Sequence, residues 1–350
     1  MNILFDINHP AHVHLLRNAY KILANRGHQV LVVVKEIPSA MRLLDLYGIP
    51  YVNIGKKDDA LGKKGLDQLA YDRRMLKLVR QHHIDLGVGS SINSPHVSRL
   101  TRMKSIVLDD DDDAAEPLFV RFGHPFADAI LTPSAITRKS KKAVYVDSYH
   151  ELAYLHPNRF TPDPEVLHDA GIEAGEPYFI LRFNAFKAHH DVGEGGLSIE
   201  NKRRLVNLLQ ARGKVFITTE REIEEEFKPY QLMVSPERAH SLMYYATMFV
   251  GDSQTMTSEA AVLGTPAIKC NSFAGRLSVP NELEQKYGLC YSFQPEQQEA
   301  FFAKIDELLA MPDLKGEWQQ RRQKMLAEKI DYTAFLVEFV ENYFVSRKTR

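Results

Sequence analysis

Three groups of residues in this chain have side chains and spacings that chemistry could use. The first runs from 249 to 268: an apolar stretch, a turn of Gly251, Asp252 and Ser253, then Gln254-Thr255-Met256-Thr257-Ser258-Glu259 entering a helical pattern that closes at Leu263-Gly264-Thr265-Pro266. A helix that opens directly after a strand presents backbone N–H groups and the positive end of its dipole, which together make an anion site. Ser253, Thr255 and Thr257 add hydroxyls. Glu259, about one turn in, is placed to accept both hydroxyls of a ribose. The same residues also describe a well-capped helix and nothing more.

The second group is histidine-rich. His9, His12 and His14 follow the first apolar run. The loop Arg182-Phe183-Asn184-Ala185-Phe186-Lys187-Ala188-His189-His190-Asp191 follows another. An imidazole of near-neutral pKa at His12 could take a proton from an acceptor hydroxyl or bind phosphate. Arg182, Lys187 and His190 could neutralise a departing diphosphate. A helix-start histidine bonded to backbone and a plain surface loop are the bland alternatives. No metal is expected at 189–191, because adjacent residues point apart and no second ligand cluster accompanies them. The third group is the run of aspartates 109–113 with Glu116. Crowded carboxylates raise one another's pKa and can supply an acid and a base. Divalent-cation binding and a solvated acidic loop are the competing readings.

The elements that must position these groups follow from periodicity. Short apolar runs at 3–7, 30–34, 51–54, 86–88, 105–108 and 129–131 alternate with helical stretches such as 11–26 and 66–82. Continuous apolar strands separated by helices mean a parallel sheet covered on both faces. The pattern breaks where Pro157, Pro162, Pro164 and Pro177 cluster. It resumes with strands expected at 178–182, 214–218, 231–234, 248–250 and 266–269. The expected organisation is a doubly wound domain over 1–147, a linker at 148–177, a second doubly wound domain over 178–330, and a C-terminal helix at 331–350 that returns to the first domain. Ligands of open parallel sheets bind outside the carboxyl ends of the strands, where all three groups lie.

Composition narrows the function further. The formal net charge of −1 provides no global attraction to nucleic acid, so an anion site must come from local geometry. Two cysteines, Cys270 and Cys290, are too few for a disulfide framework and fit a reducing, cytoplasmic setting. The first residues read as a strand rather than a leader, and no apolar run approaches a membrane span. The basic cluster 138–142 leaves peripheral membrane contact open. There is no phosphate loop of the Gly-x-x-x-x-Gly-Lys type, no Gly-x-Gly-x-x-Gly fingerprint after the first strand, and no Gly-x-Ser-x-Gly elbow.

The segment Asp252-Ser253, Glu259, Leu263-Gly264-Thr265-Pro266 resembles the donor-binding segment of nucleotide-sugar enzymes with the GT-B fold. Two groups are similar: the non-hydrolysing UDP-N-acetylglucosamine 2-epimerases and the UDP-N-acetylglucosamine transferases of peptidoglycan synthesis. Val234-Ser235-Pro236 and Ser241-Leu242-Met243-Tyr244-Tyr245-Ala246 resemble the stretch upstream of the donor, and Arg26-Gly27-His28-Gln29-Val30 matches the N-terminal pattern. The whole chain, with Asp45-Leu46-Tyr47-Gly48-Ile49-Pro50 and Glu151-Leu152-Ala153-Tyr154-Leu155, looks most like an uncharacterised prokaryotic family of this fold. Two departures are visible: Asn8-His9-Pro10-Ala11-His12 replaces a glycine-rich turn, and Ser253-Gln254-Thr255 replaces Ser-Gly-Gly. The resemblance implies a GT-B-like α/β fold, two Rossmann-like domains facing across a cleft. It also implies a UDP-sugar as substrate with no separate cofactor. The nucleotide would be held by Arg182, Asp252, Ser253, Thr255 and Glu259, and catalytic groups would be drawn from His12, Asp110, Glu116 and His190. Glycosyl transfer in polysaccharide or glycoconjugate synthesis is the leading expectation, with an acceptor left open between soluble and lipid-linked forms. A UDP-N-acetylhexosamine 2-epimerase and a non-catalytic sugar-nucleotide-binding subunit are the alternatives.

Overall fold

The computed structural model describes residues 1–56, 64–173, 175–183, 196–218 and 223–345. The chain divides into two compact units, Met1–Arg159 with Lys329–Arg350, and Phe160–Glu328.

Unit 1 is built on seven parallel strands: β1 (Asn2–Ile7), β2 (Gln29–Glu36), β3 (Val52–Lys56), β4 (Leu86–Gly89), β5 (Lys104–Leu108), β6 (Ala129–Pro133) and β7 (Ala143–Val146). Their order is β3-β2-β1-β4-β5-β6-β7. The chain reverses its direction of winding between β1 and β4, which makes the carboxyl ends of those two strands the place for a ligand. β1 and β4 are almost wholly buried apolar runs, as a sheet covered on both faces requires. The helix Pro10–Asn25 starts on a proline whose missing N–H costs nothing there, and His9 caps it by accepting from the Ala11 N–H at 3.2 Å. Its Val13, Leu16, Ala19 and Leu23 are buried at helical spacing, each large side chain contributing about 1.5–3 kcal/mol.

Unit 2 carries β8 (Tyr178–Arg182), β9 (Lys214–Thr218), β10 (Met248–Gly251), β11 (Ala267–Cys270) and β12 (Cys290–Phe293), all parallel, in the order β12-β11-β10-β8-β9. The switch in winding falls between β8 and β10. Both units use a glycine at that point. Gly89 of β4 lies against β1, and Gly251 of β10 lies against β8. A Cβ at Gly89 would meet the Asp6 carbonyl oxygen at 2.5 Å, and one at Gly251 would meet the Arg182 carbonyl oxygen at 2.5 Å. No other residue type fits a backbone approach this close.

Several sequence expectations shift. The expected linker at 148–177 divides between the units. Its first part belongs to unit 1, because Tyr149, Leu152, Ala153, Tyr154 and Leu155 are buried in that unit's core. The strand expected at 231–234 reduces to a single bridge between Ile217 and Gln231, since Pro229 and Pro236 bracket a stretch too short to pair further. The edge strands β7 and β12 were not anticipated. β7 has a single fully buried position, Val146, and follows a lysine-rich run, so it lacks a buried strand's apolar signature.

The segment after Glu328 fastens to unit 1 by its backbone and caps. The Ile330 N–H donates to the Asp147 carbonyl at 2.8 Å, and Ser148 Oγ donates to the Ile330 carbonyl at 2.6 Å. Asp331 caps the helix Tyr332–Asn342 and accepts from Arg159 Nε at 2.7 Å, while Thr333 Oγ1 donates to the Ala153 carbonyl at 2.7 Å.

Candidate functional sites, one in each unit

Unit 1 gathers its ionisable groups on loops at the carboxyl edge of the sheet. The aspartate run after β5 is an organised loop rather than a solvated one. Arg138, whose side chain is fully buried, donates to Thr132 Oγ1 at 2.9 Å, to Asp113 Oδ1 at 2.6 Å and to the Asp109 and Asp111 carbonyls at 2.8 Å each. Asp109 is buried between Arg138 at 3.0 Å and His124 Nε2 at 2.7 Å. Arg138 therefore leaves the basic cluster 138–142 that the sequence offered as a membrane-facing patch. Its guanidinium is the internal counter-charge for Asp109 and Asp113 and ties down the Asp109 and Asp111 carbonyls.

Asp110 faces a different partner. His150 Nδ1 lies 3.1 Å from Asp110 Oδ1; the histidine is buried and the carboxylate keeps 40% of its side-chain surface. Burial opposes ionisation of Asp110, but the charge and hydrogen bond of His150 outweigh it, and the carboxyl falls to about 2. For His150, burial lowers and Asp110 raises, with a net upward shift. Both shifts favour the charged forms of the pair. Asp111 goes the other way: burial first, then the charges of Asp110, Glu116 and Asp109, push it up to about 7. Glu116, at the start of the helix Pro117–Phe122, also rises, through loss of solvent and then through Asp109 and Asp110.

The three N-terminal histidines separate cleanly. His9 is the helix cap. His14 packs between Tyr47 and Tyr154, with Tyr47 Oη 3.2 Å from its Nδ1. His12 stands against the His9 ring, with centroids 5.9 Å apart, and is the one that feels the charges of Asp110 and His150. Its expected near-neutral pKa does not hold: burial, followed by His9, lowers the ring to about 3, against the pull of Asp110. At neutral pH the ring is therefore uncharged and a weaker base than an ordinary imidazole.

Two contributions escaped the sequence reading altogether. Tyr332, fully buried, sets its ring against His150 with centroids 5.1 Å apart in an edge-on arrangement. Asp6, fully buried in β1, bonds Ser91 just past β4, and Ser91 leads on to Asn93, Asp72 and His96 through contacts of 3.3, 2.7 and 2.9 Å. Burial raises the Asp6 pKa, partly offset by Lys35 and Ser91. His150 had no signal beyond lying in a segment that reads as a linker, and Tyr332 none beyond opening a terminal helix.

Unit 2 presents the turn after β10. The Asp252 N–H donates to the Arg182 carbonyl at 3.1 Å, which sets the turn directly beside the end of β8, and both side chains are buried. Asn271 Nδ2 holds the Asp252 carbonyl from the end of β11 at 2.9 Å. Ser253 is the N-cap of the helix Gln254–Leu263, accepting from the Met256 N–H at 3.4 Å, and Thr257 Oγ1 donates back to the Ser253 carbonyl at 2.7 Å. Thr255 is exposed, outside this buried set. Glu259 is buried, its Oε1 3.1 Å from His240 Nε2 on the helix Ala239–Tyr245. Lys269, wholly buried on β11, bonds the Gln254 side chain at the helix start, and burial pushes its ammonium down to about 8. His240 and Lys269 are additions the sequence did not single out. Lys187 and His190 lie outside the described residues.

A cavity of about 320 Å³ lined by Leu167, Ile172, Tyr178, Tyr245 and Thr247 opens at the other, amino ends of β8 and β10. It shares none of these chemical groups. Among the described residues, no helix is long and apolar enough to cross a membrane.

The fold is GT-B-like. The structure of S. aureus MnaA with UDP matches with a TM-score of 0.71 at 11% identity, over 99% of this chain and 97% of that one. A UDP-GlcNAc 2-epimerase from Neisseria meningitidis bound to UDP-GlcNAc matches with a TM-score of 0.65 at 12% identity, over 98% and 100%. MurG of Acinetobacter baumannii matches with a TM-score of 0.59 at 16% identity, over 97% and 99%. In sequence, the chain is 22% identical over 295 residues to the uncharacterized protein MJ0665 of Methanocaldococcus jannaschii, covering 77% of this chain and 82% of that protein. Residues 1–344 match the family model described as a protein of unknown function, DUF354, and the chain belongs to that family.

Proposed function

We propose that this protein binds a UDP-sugar and transfers its glycosyl group to a hydroxyl acceptor in polysaccharide or glycoconjugate synthesis. The observation that carries the reading is the turn after β10. There a Ser253-capped helix start, flanked by buried Arg182, sits on the same helix as buried Glu259, which pairs with His240 of the preceding helix. Helix N-termini hold phosphate through N–H groups and dipole, and a fixed carboxylate is the natural acceptor for ribose hydroxyls. In this reading Arg182 and the free N–H groups of the Ser253-capped helix start hold the diphosphate, and Glu259 holds the ribose. Electrostatic stabilisation of the departing diphosphate supplies much of the rate. Unit 1 takes the acceptor, with His12 as the base that removes its proton.

The test is calorimetric titration and thermal shift with UDP, other nucleoside diphosphates and UDP-sugars. A ligand at about 100 times its Kd adds about 2.7 kcal/mol of stability. A response to UDP and UDP-sugars supports the reading. No response to any nucleotide removes it.

One observation favours a second reading, a UDP-N-acetylhexosamine 2-epimerase. Asp110 at about 2 and Asp111 at about 7 are neighbours whose environments push their pKa values apart, which is how one site comes to hold both a base and an acid. The two readings separate on product. A transferase releases UDP only with an acceptor, whereas an epimerase inverts the sugar with none.

A further inference from the structure

A buried charge with no opposing charge beside it destabilises a fold, so native structures pair it or shift its pKa. Lys269 on β11 is 0% exposed, yet among the described residues its ammonium reaches no carboxylate at ion-pair distance. Its hydrogen bond goes to the side-chain carbonyl of Gln254, a neutral amide in the first turn of the helix Gln254–Leu263. Beyond burial, the groups that bear on it are Cys290 of β12 and Glu284 of the helix Ser278–Gln285. Burial pushes the Cys290 thiol up to about 12, so it carries no charge at neutral pH. The charge of Asp252, the acid of the turn, is felt after burial by Cys270, the next residue along β11 and on its opposite face.

The strand register says where that ammonium stands. Gly251, the last residue of β10 before the turn, is the partner of Arg182 on β8 and of Lys269 on β11. Cross-strand partners share a face of the sheet. Two buried cations therefore flank the point where β10 enters the helix start. The Lys269 bond also accounts for a departure visible in the sequence. Gln254 stands where the resembled donor turn carries glycine, and a side chain there could fill space that a phosphate needs. Here the amide is drawn toward β11, with its Nε2 buried.

We propose that Lys269 is a buried counter-charge of the unit 2 anion site, a positioning residue that acts on a nucleoside diphosphate at the helix start by way of Gln254 and does not touch it. The inference rests on the proposed nucleotide site and deepens it, because it ties donor affinity to one proton. An anion at the helix start favours the charged ammonium and raises its pKa from about 8. Below pH 8 the ammonium is already charged, and binding is at full strength. Above pH 8 the free protein has lost the proton, so binding weakens and takes a proton up. A bond that only fastened β11 to the helix would give no such uptake.

The experiment is calorimetric titration of the full chain with UDP at pH 7 and pH 8.5, in buffers of different ionisation enthalpy, on the wild type, Lys269→Met and Lys269→Arg. The wild type should take up roughly half a proton per UDP at pH 8.5, the balance for a pKa raised by about one unit. Lys269→Met should weaken UDP about tenfold at pH 7, as loss of a nearby unit charge in a partly buried site does, and should lose the uptake. Lys269→Arg, charged throughout, should bind within about threefold of the wild type and hold that affinity at pH 8.5. The uracil and phosphate ionisations are common to all three proteins, so the differences belong to position 269. UDP binding by the wild type without proton uptake at pH 8.5 overturns the proposal, and that measurement needs no variant. So does a Lys269→Arg variant that folds and binds as weakly as Lys269→Met, which would leave Lys269 a staple between β11 and the helix. No binding of UDP at all removes the nucleotide reading and this inference with it.

Discussion

The two sheets meet their ligand-facing edges in the same way and furnish them oppositely. In unit 1 the residue opposite Gly89 is Asp6, and in unit 2 the residue opposite Gly251 is Arg182. Both glycines are forced by a carbonyl 2.5 Å from where a Cβ would sit. At equivalent positions one unit buries an acid and the other a base. The rest of each site follows suit. Unit 1 gathers Asp109, Asp110, Asp111, His12 and His150 at its edge, with Asp110 lowered to about 2, His12 lowered to about 3 and Asp111 raised to about 7. Unit 2 offers a capped helix start, buried Arg182 and Lys269, and two buried carboxylates, Asp252 and the His240-engaged Glu259. Parallel-sheet topology decides where a site lies, and the residues at the strand ends decide its charge. Under the proposed function, unit 1 would move protons and unit 2 would hold the anion.

The division can be broken most sharply at His12. His12→Ala should lower turnover about 10²–10⁴-fold, the range for a lost general base, with the UDP Kd nearly unchanged. Turnover and calorimetric affinity measured on one preparation decide it. Normal turnover would move the base to the carboxylates at 109–113. Arg138→Met comes next. Removing one partner of a buried ion pair costs about 3–5 kcal/mol, because Asp109 and Asp113 lose their counter-charge; urea denaturation reads the loss. A cost below about 1 kcal/mol, the scale of an exposed pair, would mean that the aspartate loop is solvated after all.

Glu259→Ala tests the other side. It should weaken UDP by about 1.5–3 kcal/mol, the scale of hydrogen bonds to a charged group, and leave proton-transfer steps alone. Equal affinities in the titration would take Glu259 out of the nucleotide site and leave it a structural partner of His240.

The last test is in pH dependence. His12 has a folded pKa of about 3 against an ordinary value of 6.5. Between those values the unfolded chain binds the proton and the folded one does not. Stability from this group is therefore complete above about pH 6.5 and is lost as pH falls toward 3, with a slope of at most about 1.4 kcal/mol per pH unit. Asp110, lowered to about 2, adds its own loss only below its ordinary 3.8. His12→Gln should flatten the denaturation midpoint between pH 6.5 and 4. An unchanged slope would show that the ring is solvated and titrates normally.

The unit 2 turn was legible because all its signals are local: an apolar strand, a glycine, a hydroxyl cap and a helical run follow one another within twenty residues. His12 was legible for the same reason, as a polar residue just inside a helix that follows a strand. The aspartate run could be seen but not interpreted. Its meaning depends on Arg138, which reads as part of a surface basic cluster, and on His150, which reads as part of a linker. His240 and Lys269 were passed over because a lone histidine on a short helix and a lysine in an apolar strand look incidental until their partners, Glu259 and Gln254, are beside them.

The sequence by itself determined that two parallel-sheet units exist, where most of their strands run, and that a helix start with a hydroxyl cap follows β10. Hydrophobic periodicity and capping are short-range properties, written into neighbouring residues. Only the tertiary structure decided which of three histidines faces the acidic loop, that an arginine turns that loop inward, and that the tyrosine opening the last helix stands against His150 in unit 1. Those pairings join residues far apart in sequence. They depend on burial and low local dielectric, which no residue carries until the chain has folded around it.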